Sequence, residues 1–197
     1  MRLIPRPEKI SATSPNQTAS ASVKVGPVAD ATSHLFVRYS VFKWGGGGLT
    51  DPLRILVVED QAILAMELEH VLTEAGHFVV GCAMDAVEAA AMAERFPPDV
   101  ALVDINLRDG STGPLIARGL IERYEAAVVF LTANPEQIPD GFSGAIGAVT
   151  KPFDDQTIRA VVAFAARFRK ERLTDHPPSR LRLAPWLREP PPRLPKH

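Results

Sequence analysis

Cysteine is all but missing: Cys82 is the only one in 197 residues. No intramolecular disulfide can form, and nothing points to an oxidising compartment. Long apolar runs are missing too, and none approaches the roughly 20 residues that a membrane-spanning helix needs. Pro5, Pro7, Glu8 and Lys9 interrupt any apolar core at the start, which excludes a secretory signal pattern there. Net charge is almost absent at −1, but the charge is unevenly spread. Residues 1–50 carry net +4, residues 51–173 net −8 and residues 174–197 net +3, an acidic body between two basic tails. These features predict a soluble cytoplasmic protein without membrane contact, long enough for one domain with a sizeable core plus appendages.

What is there falls into three parts. Residues 1–52 are rich in Ser, Thr, Ala and Pro without a sustained period, and they close on Gly45-Gly46-Gly47-Gly48, so a disordered extension and a flexible linker are expected. Leu35 to Trp44 is the exception, an aromatic-rich run that reads as a strand, a docking peptide or a stretch without a role. Residues 53–173 alternate short apolar runs with helical patterns. Residues 174–197 hold seven prolines interleaved with Arg180, Arg182, Arg188, Arg193 and Lys196. That tail is expected to be disordered and extended, polyproline-like rather than helix or strand.

The central stretch of the middle part is Val100-Ala101-Leu102-Val103-Asp104. Four unbroken apolar residues followed by a carboxylate and a polar turn fit a strand buried on both faces, as in a parallel sheet. Similar runs end at Glu59-Asp60 after Ile55 to Val58, at Thr132 after Ala126 to Leu131, and at Lys151 after Ala145 to Val149. Phe78 to Ala83 gives one more strand. Between them Leu64, Leu68, Val71, Leu72 and Ala75 form one helical stripe closed by Gly76, Asp85 is placed to cap a helix over 86–95, and Pro97-Pro98 stops it. Gly113-Pro114 opens a helix to about residue 124. Residues 135–142, with Pro135, Pro139 and Gly141, predict at most a short, poorly formed helix, and Asp154 caps a last helix with Ile158, Val161, Val162, Ala165 and Phe168 inward. Five strands alternating with helices describe an α/β, doubly wound, five-stranded parallel sheet.

Such a sheet gathers Glu59, Asp60, Asp104, Thr132 and Lys151 at its carboxyl edge, where open α/β folds bind their ligands. Three carboxylates in one pocket repel each other unless a divalent cation neutralises them, and carboxylate, carbonyl and water oxygens suit Mg2+. The ammonium of Lys151 and the hydroxyl of Thr132 then suit an anion near the metal. A phosphoryl group on Asp104 satisfies all of them, because phosphoryl transfer asks for positioning and charge neutralisation.

Residues 53–173 resemble the receiver domain of two-component response regulators, a flavodoxin-like fold. The matching pieces are Ile55-Leu56-Val57-Val58-Glu59-Asp60, Leu102-Val103-Asp104, Leu131-Thr132-Ala133 and Lys151-Pro152-Phe153, weak singly and strong as an ordered set. The resemblance implies that Asp104 accepts phosphate from a sensor histidine kinase or phosphotransfer protein. It implies that Mg2+ sits on Glu59, Asp60, Asp104 and the backbone carbonyl of Asn106, that Thr132 and Lys151 contact the phosphoryl oxygens, and that the Lys151–Pro152 bond is cis. Asn106 and Asn134 fall where receivers tune hydrolysis, or they merely cap turns. Many receivers carry an aromatic three residues before the lysine; here Ala148 stands there, so the signal must leave by another route. Phe130-Leu131-Thr132-Ala133-Asn134 is partly similar to the Phe-Ala-Thr-Gly-aromatic pattern of a subgroup without that switch.

His70 and His77 read as solvated, and Cys82 as core rather than reactive. The expected function is a stand-alone receiver, not an enzyme beyond its self-catalysed phosphorylation and dephosphorylation, acting through an unknown downstream protein, with a homodimer left open. Its competitor is a phosphorylation-independent interaction module of the same fold. A haloacid-dehalogenase-like phosphatase lacks its second acid here, since Ile105-Asn106 follows Asp104. Five tail cations separated by prolines argue against nucleic acid.

Overall fold

The computed structural model describes residues 51–172 and 174–188. The expected extension over residues 1–50, its aromatic-rich run at 35–44 and the tail beyond 188 lie outside the described residues. The body starts with β1 (Arg54–Val58), α1 (Ala62–Glu74), β2 (Phe78–Ala83) and α2 (Ala86–Arg95). β3 (Val100–Asp104), α3 (Gly113–Tyr124), β4 (Ala127–Thr132) and, after two short 3-10 turns, β5 (Gly147–Thr150) follow. α4 (Asp155–Glu171), β6 (Leu181–Leu183) and a one-turn α5 (Pro185–Arg188) complete it.

The strands order as β2-β1-β3-β4-β5-β6, with β1 to β5 parallel and β6 antiparallel on β5. The fold is thus the expected doubly wound, flavodoxin-like one. Val100 to Val103 are fully buried because helices cover both faces. α1 and α4 enclose one core layer with Ile55, Val57, Leu102 and Val129, and α2 and α3 enclose the other with Leu56, Val58, Val103 and Phe130. Each such side chain removed from water contributes about 1.5–3 kcal/mol, so the unbroken apolar runs themselves select the two-sided sheet.

Local signals set the helix boundaries. Asp85 accepts a hydrogen bond from the Glu88 backbone N–H at 2.8 Å and Asp154 one from Thr157 at 2.7 Å, relieving one of the unpaired donors at each helix start. Gly76 takes φ 83° just past α1, a conformation only glycine adopts without a Cβ penalty.

Two expectations need correction. The first is the tail, which is not wholly unstructured but adds an antiparallel edge strand to the five parallel ones. Ser179 to Ala184 is a proline-free window between Pro178 and Pro185, and within it Leu181 and Leu183 are buried while Arg182 is exposed. That alternation suits an edge strand, and Pro185 falls beyond it, where no ladder N–H is required. Trp186 meets Phe168 of α4 edge-on, ring centroids 6.1 Å apart. His77 is the second correction, being half-buried with Nδ1 3.5 Å from the Leu53 amide nitrogen; burial, with Arg159 adding to it, lowers its pKa. His70 is exposed as expected.

Candidate phosphoryl-acceptor site

The order β2-β1-β3 makes the gap between β1 and β3 the point where the chain reverses direction across the sheet, the place where such folds open a crevice. Val58 is registered with Val103, so Glu59 and Asp104 emerge side by side. Asp104 is registered with Leu131 and Thr132 with Thr150, which sets Thr132 and Lys151 on the following strand ends. The Lys151 N–H also donates to the Thr132 carbonyl at 2.8 Å. Register alone therefore brings five residues from four strand ends to one edge.

Lys151 Nζ lies 2.6 Å from Asp104 Oδ2 and 2.7 Å from Glu59 Oε2. Glu59 is fully buried and Asp104 only 5 % exposed. Burial pushes the Glu59 carboxyl up, the Lys151 ammonium draws it back down, and Asp104 adds to the rise. Burial works against the Lys151 charge as well, but its hydrogen bonds to Asp104 and Glu59 hold its pKa above the ordinary value. Ligand oxygens of Glu59, Asp60 and Asp104 come within 4.8 Å of one another. Among the described residues Asp60 has no ion-pair partner, so one ammonium faces three carboxylates. That unbalanced charge and the hard oxygen donors fit a divalent cation such as Mg2+.

Thr132 is buried, its Oγ1 accepting from the Asn134 N–H at 3.0 Å. The loop after Asp104 is held at several points. The Asn106 N–H donates to Asp104 Oδ1 at 3.1 Å, and its side chain lies between Ser111 Oγ at 2.8 Å and Gln137 Oε1 at 2.5 Å. Arg108 pairs with Asp85 and with Glu88 at 2.7 Å, and Asp109 accepts from the Ala86 N–H at 3.1 Å, which moors the loop to the start of α2. The Lys151–Pro152 bond is cis. Cys82 stands apart, half-buried, its thiol pushed up to about 11 by burial with Glu69 adding to it.

Gly113 and Gln137 escaped the sequence reading. A Cβ on Gly113 would stand 2.1 Å from the Asp104 carbonyl oxygen and 2.7 Å from Ile105 Cα, both backbone atoms. Gly113 therefore lets α3 start directly beneath the acceptor loop. Its one sequence signal, a glycine before Pro114, reads equally well as an ordinary helix start. Gln137 reaches Asn106 from 31 positions away, and nothing in its neighbours announces it.

Residues 55–163 match the response regulator receiver domain. The chain belongs to that family. Receiver domains of this family belong to two-component systems and are generally not enzymes in their own right. The receiver is 36 % identical over 118 residues to the phyllosphere-induced regulator PhyR of Methylorubrum extorquens, covering 59 % of this chain and 44 % of that one. It is 34 % identical over 127 residues to the transcriptional regulatory protein PdtaR of Mycobacterium tuberculosis, covering 60 % of each. The chain thus spans about half the length of the curated relatives it matches. The structure of the anti-anti-sigma factor PhyR from Bartonella quintana is similar with a TM-score of 0.54 and 30 % identity, over 63 % of this chain and 51 % of that one. Among the described residues no helix is long and apolar enough to cross a membrane.

Proposed function

We propose that this receiver is the phosphoacceptor of a two-component phosphorelay, loaded by a sensor histidine kinase or phosphotransfer protein on Asp104. What carries the reading is the convergence of three carboxylates within 4.8 Å with an ammonium 2.6 Å from Asp104. An Asp104 carboxylate oxygen attacks the phosphorus of a phosphohistidine, the phosphorus–nitrogen bond breaks, and its electron pair leaves with the imidazole. Lys151 and the Thr132 hydroxyl take the equatorial phosphoryl oxygens. Glu59, Asp60, Asp104 and the Asn106 backbone carbonyl would hold Mg2+, which would supply charge neutralisation for the acceptor and the phosphoryl group. Water later cleaves the acyl phosphate and restores the carboxylate.

The signal passes through phosphorylation-dependent protein contacts of the receiver. The similarity to PhyR supports this, since the Bartonella protein is described as an anti-anti-sigma factor. The test is intact-mass analysis after incubation with a small acyl-phosphate donor, with and without Mg2+, beside Asp104→Asn. One labile phosphoryl group, gained only with Mg2+ and only by the unaltered chain, is the expected result. No gain in either condition would leave a phosphorylation-independent interaction module as the better reading.

A further inference from the structure

The outer edge of β5 is covered by the chain's own residues 181–184. Leu181, Arg182 and Leu183 pair antiparallel with Val149, Ala148 and Gly147, and the Ala184 N–H donates to the Ile146 carbonyl at 3.0 Å. The edge is shaped for this approach. A Cβ on Gly147 would stand 2.8 Å from the Arg182 carbonyl oxygen and 2.9 Å from Leu181 Cδ1, so any larger residue there would push the covering strand away.

Two arginines tie this segment to the parts of the body that bear on Asp104. Arg180 donates to the Pro152 carbonyl at 2.7 Å, one residue beyond Lys151. Arg182, registered with Ala148, stacks its guanidinium 5.6 Å above the Phe142 ring. Phe142 belongs to the β4–β5 connection, where Gly141, Phe142, Ser143 and Gly144 all take positive φ (71°, 56°, 48° and 86°). A left-handed backbone brings the Cβ of a non-glycine residue too close to its own carbonyl, so Phe142 and Ser143 hold stored strain, kept in place by the burial of Phe142 and the arginine over it. The other end of that connection starts at Asn134, whose N–H rests on Thr132 Oγ1.

We propose that residues 180–186 are a strap that covers β5 in the resting chain and lifts when Asp104 is phosphorylated, baring the β5 edge to an extended segment of a partner protein. The proposal rests on the phosphoacceptor reading. A phosphoryl group on Asp104 draws the Lys151 ammonium and turns the Thr132 hydroxyl toward its oxygens. The first movement shifts Pro152 under Arg180. The second removes the Asn134 anchor and lets the strained connection relax, withdrawing Phe142 from Arg182. The resident strap shows what the edge accepts: an extended strand, antiparallel, with apolar side chains at alternate positions, the β-augmentation mode of recognition. Coupling of this kind is reciprocal, so loosening the strap also favours the phosphorylated state.

Amide hydrogen exchange on the full chain tests this, with intact mass read on the same samples. After Mg2+ and the acyl-phosphate donor, the amides of Arg182 and Ala184, which face β5, are expected to exchange at least about tenfold faster, the scale set by losing one hydrogen bond from a charged donor. Arg180→Ala/Arg182→Ala should show that fast exchange without donor and still gain the phosphoryl group. A labelled peptide of sequence SRLRLAPWLR, residues 179–188, keeps both arginines and should bind the double variant, whose own strap lacks them, but not the resting chain. Phosphoryl gain with unchanged strap exchange overturns the strap alone. Faster exchange in the double variant without peptide binding overturns the docking edge, and no phosphoryl gain by the unaltered chain overturns the phosphoacceptor reading and the strap with it.

Discussion

At the scale of single residues, the site is a problem of charge. Glu59 is fully buried, and Lys151 is its one ion-pair partner among the described residues. Replacing Lys151 by Met leaves that carboxylate unpaired in the interior, which costs about 3–5 kcal/mol when a buried pair is broken from one side. Glu59→Gln in the same chain removes the stranded charge, so the double variant should recover part of the loss. Urea unfolding of the two single variants and the double reads this as a cycle, and strictly additive losses would contradict the pairing. Glu59, Asp60, Asp104, Thr132 and Lys151 were legible in the sequence because a strand buried on both faces tolerates no polar residue until it leaves the sheet. The polar residue that ends each apolar run therefore marks the edge. Gln137 and Arg180 were not legible, because each acts on a partner 31 or 28 positions away that only the folded packing brings near, and Gly113 was not, because a helix-opening glycine gives no sign of the backbone lying against it.

The elements repeat the contrast. Asp85 and Asp154 announced their helices, since a cap acts on an N–H three residues away and leaves its mark locally. β6 left none, because seven prolines counted over the whole tail conceal a six-residue window without any. Its partner strand supplies the order that its own composition does not. Asp99, just before β3, fastens three elements by tertiary contacts alone. Arg54 of β1 donates to both its carboxylate oxygens at 3.0 and 3.1 Å, and Arg169 of α4 lies 3.1 Å away. Burial pushes the Asp99 carboxyl up, but Arg54 and then Arg169 outweigh it and hold it below the usual 3.8. A carboxyl with a lower pKa folded than unfolded contributes stability above its unfolded value and loses it as pH falls through the folded one. Stability relative to Asp99→Asn should therefore be greatest at neutral pH and shrink below 3.8. Urea midpoints of both chains, taken in steps down to about pH 3, measure that gap. A gap that stays constant across the range would contradict the role given to Asp99.

For the whole molecule, the doubly wound sheet and the resemblance to receivers could be read from the order of the runs, whereas the mixed edge could not. The strap is the part of the body that most departs from that plain pattern. It stands at β5 beside Ala148, where many receivers carry an aromatic side chain. The phosphoacceptor reading and the strap both depend on phosphate residing at Asp104 rather than at the half-buried Asp60 or another carboxylate. Borohydride reduction of the donor-treated chain followed by peptide mass mapping decides this, because an aspartyl phosphate is reduced to homoserine at its own position. The account expects homoserine at position 104, dependent on Mg2+ and on the donor; homoserine at any other position, or none in a chain that has gained a phosphoryl group, would contradict it.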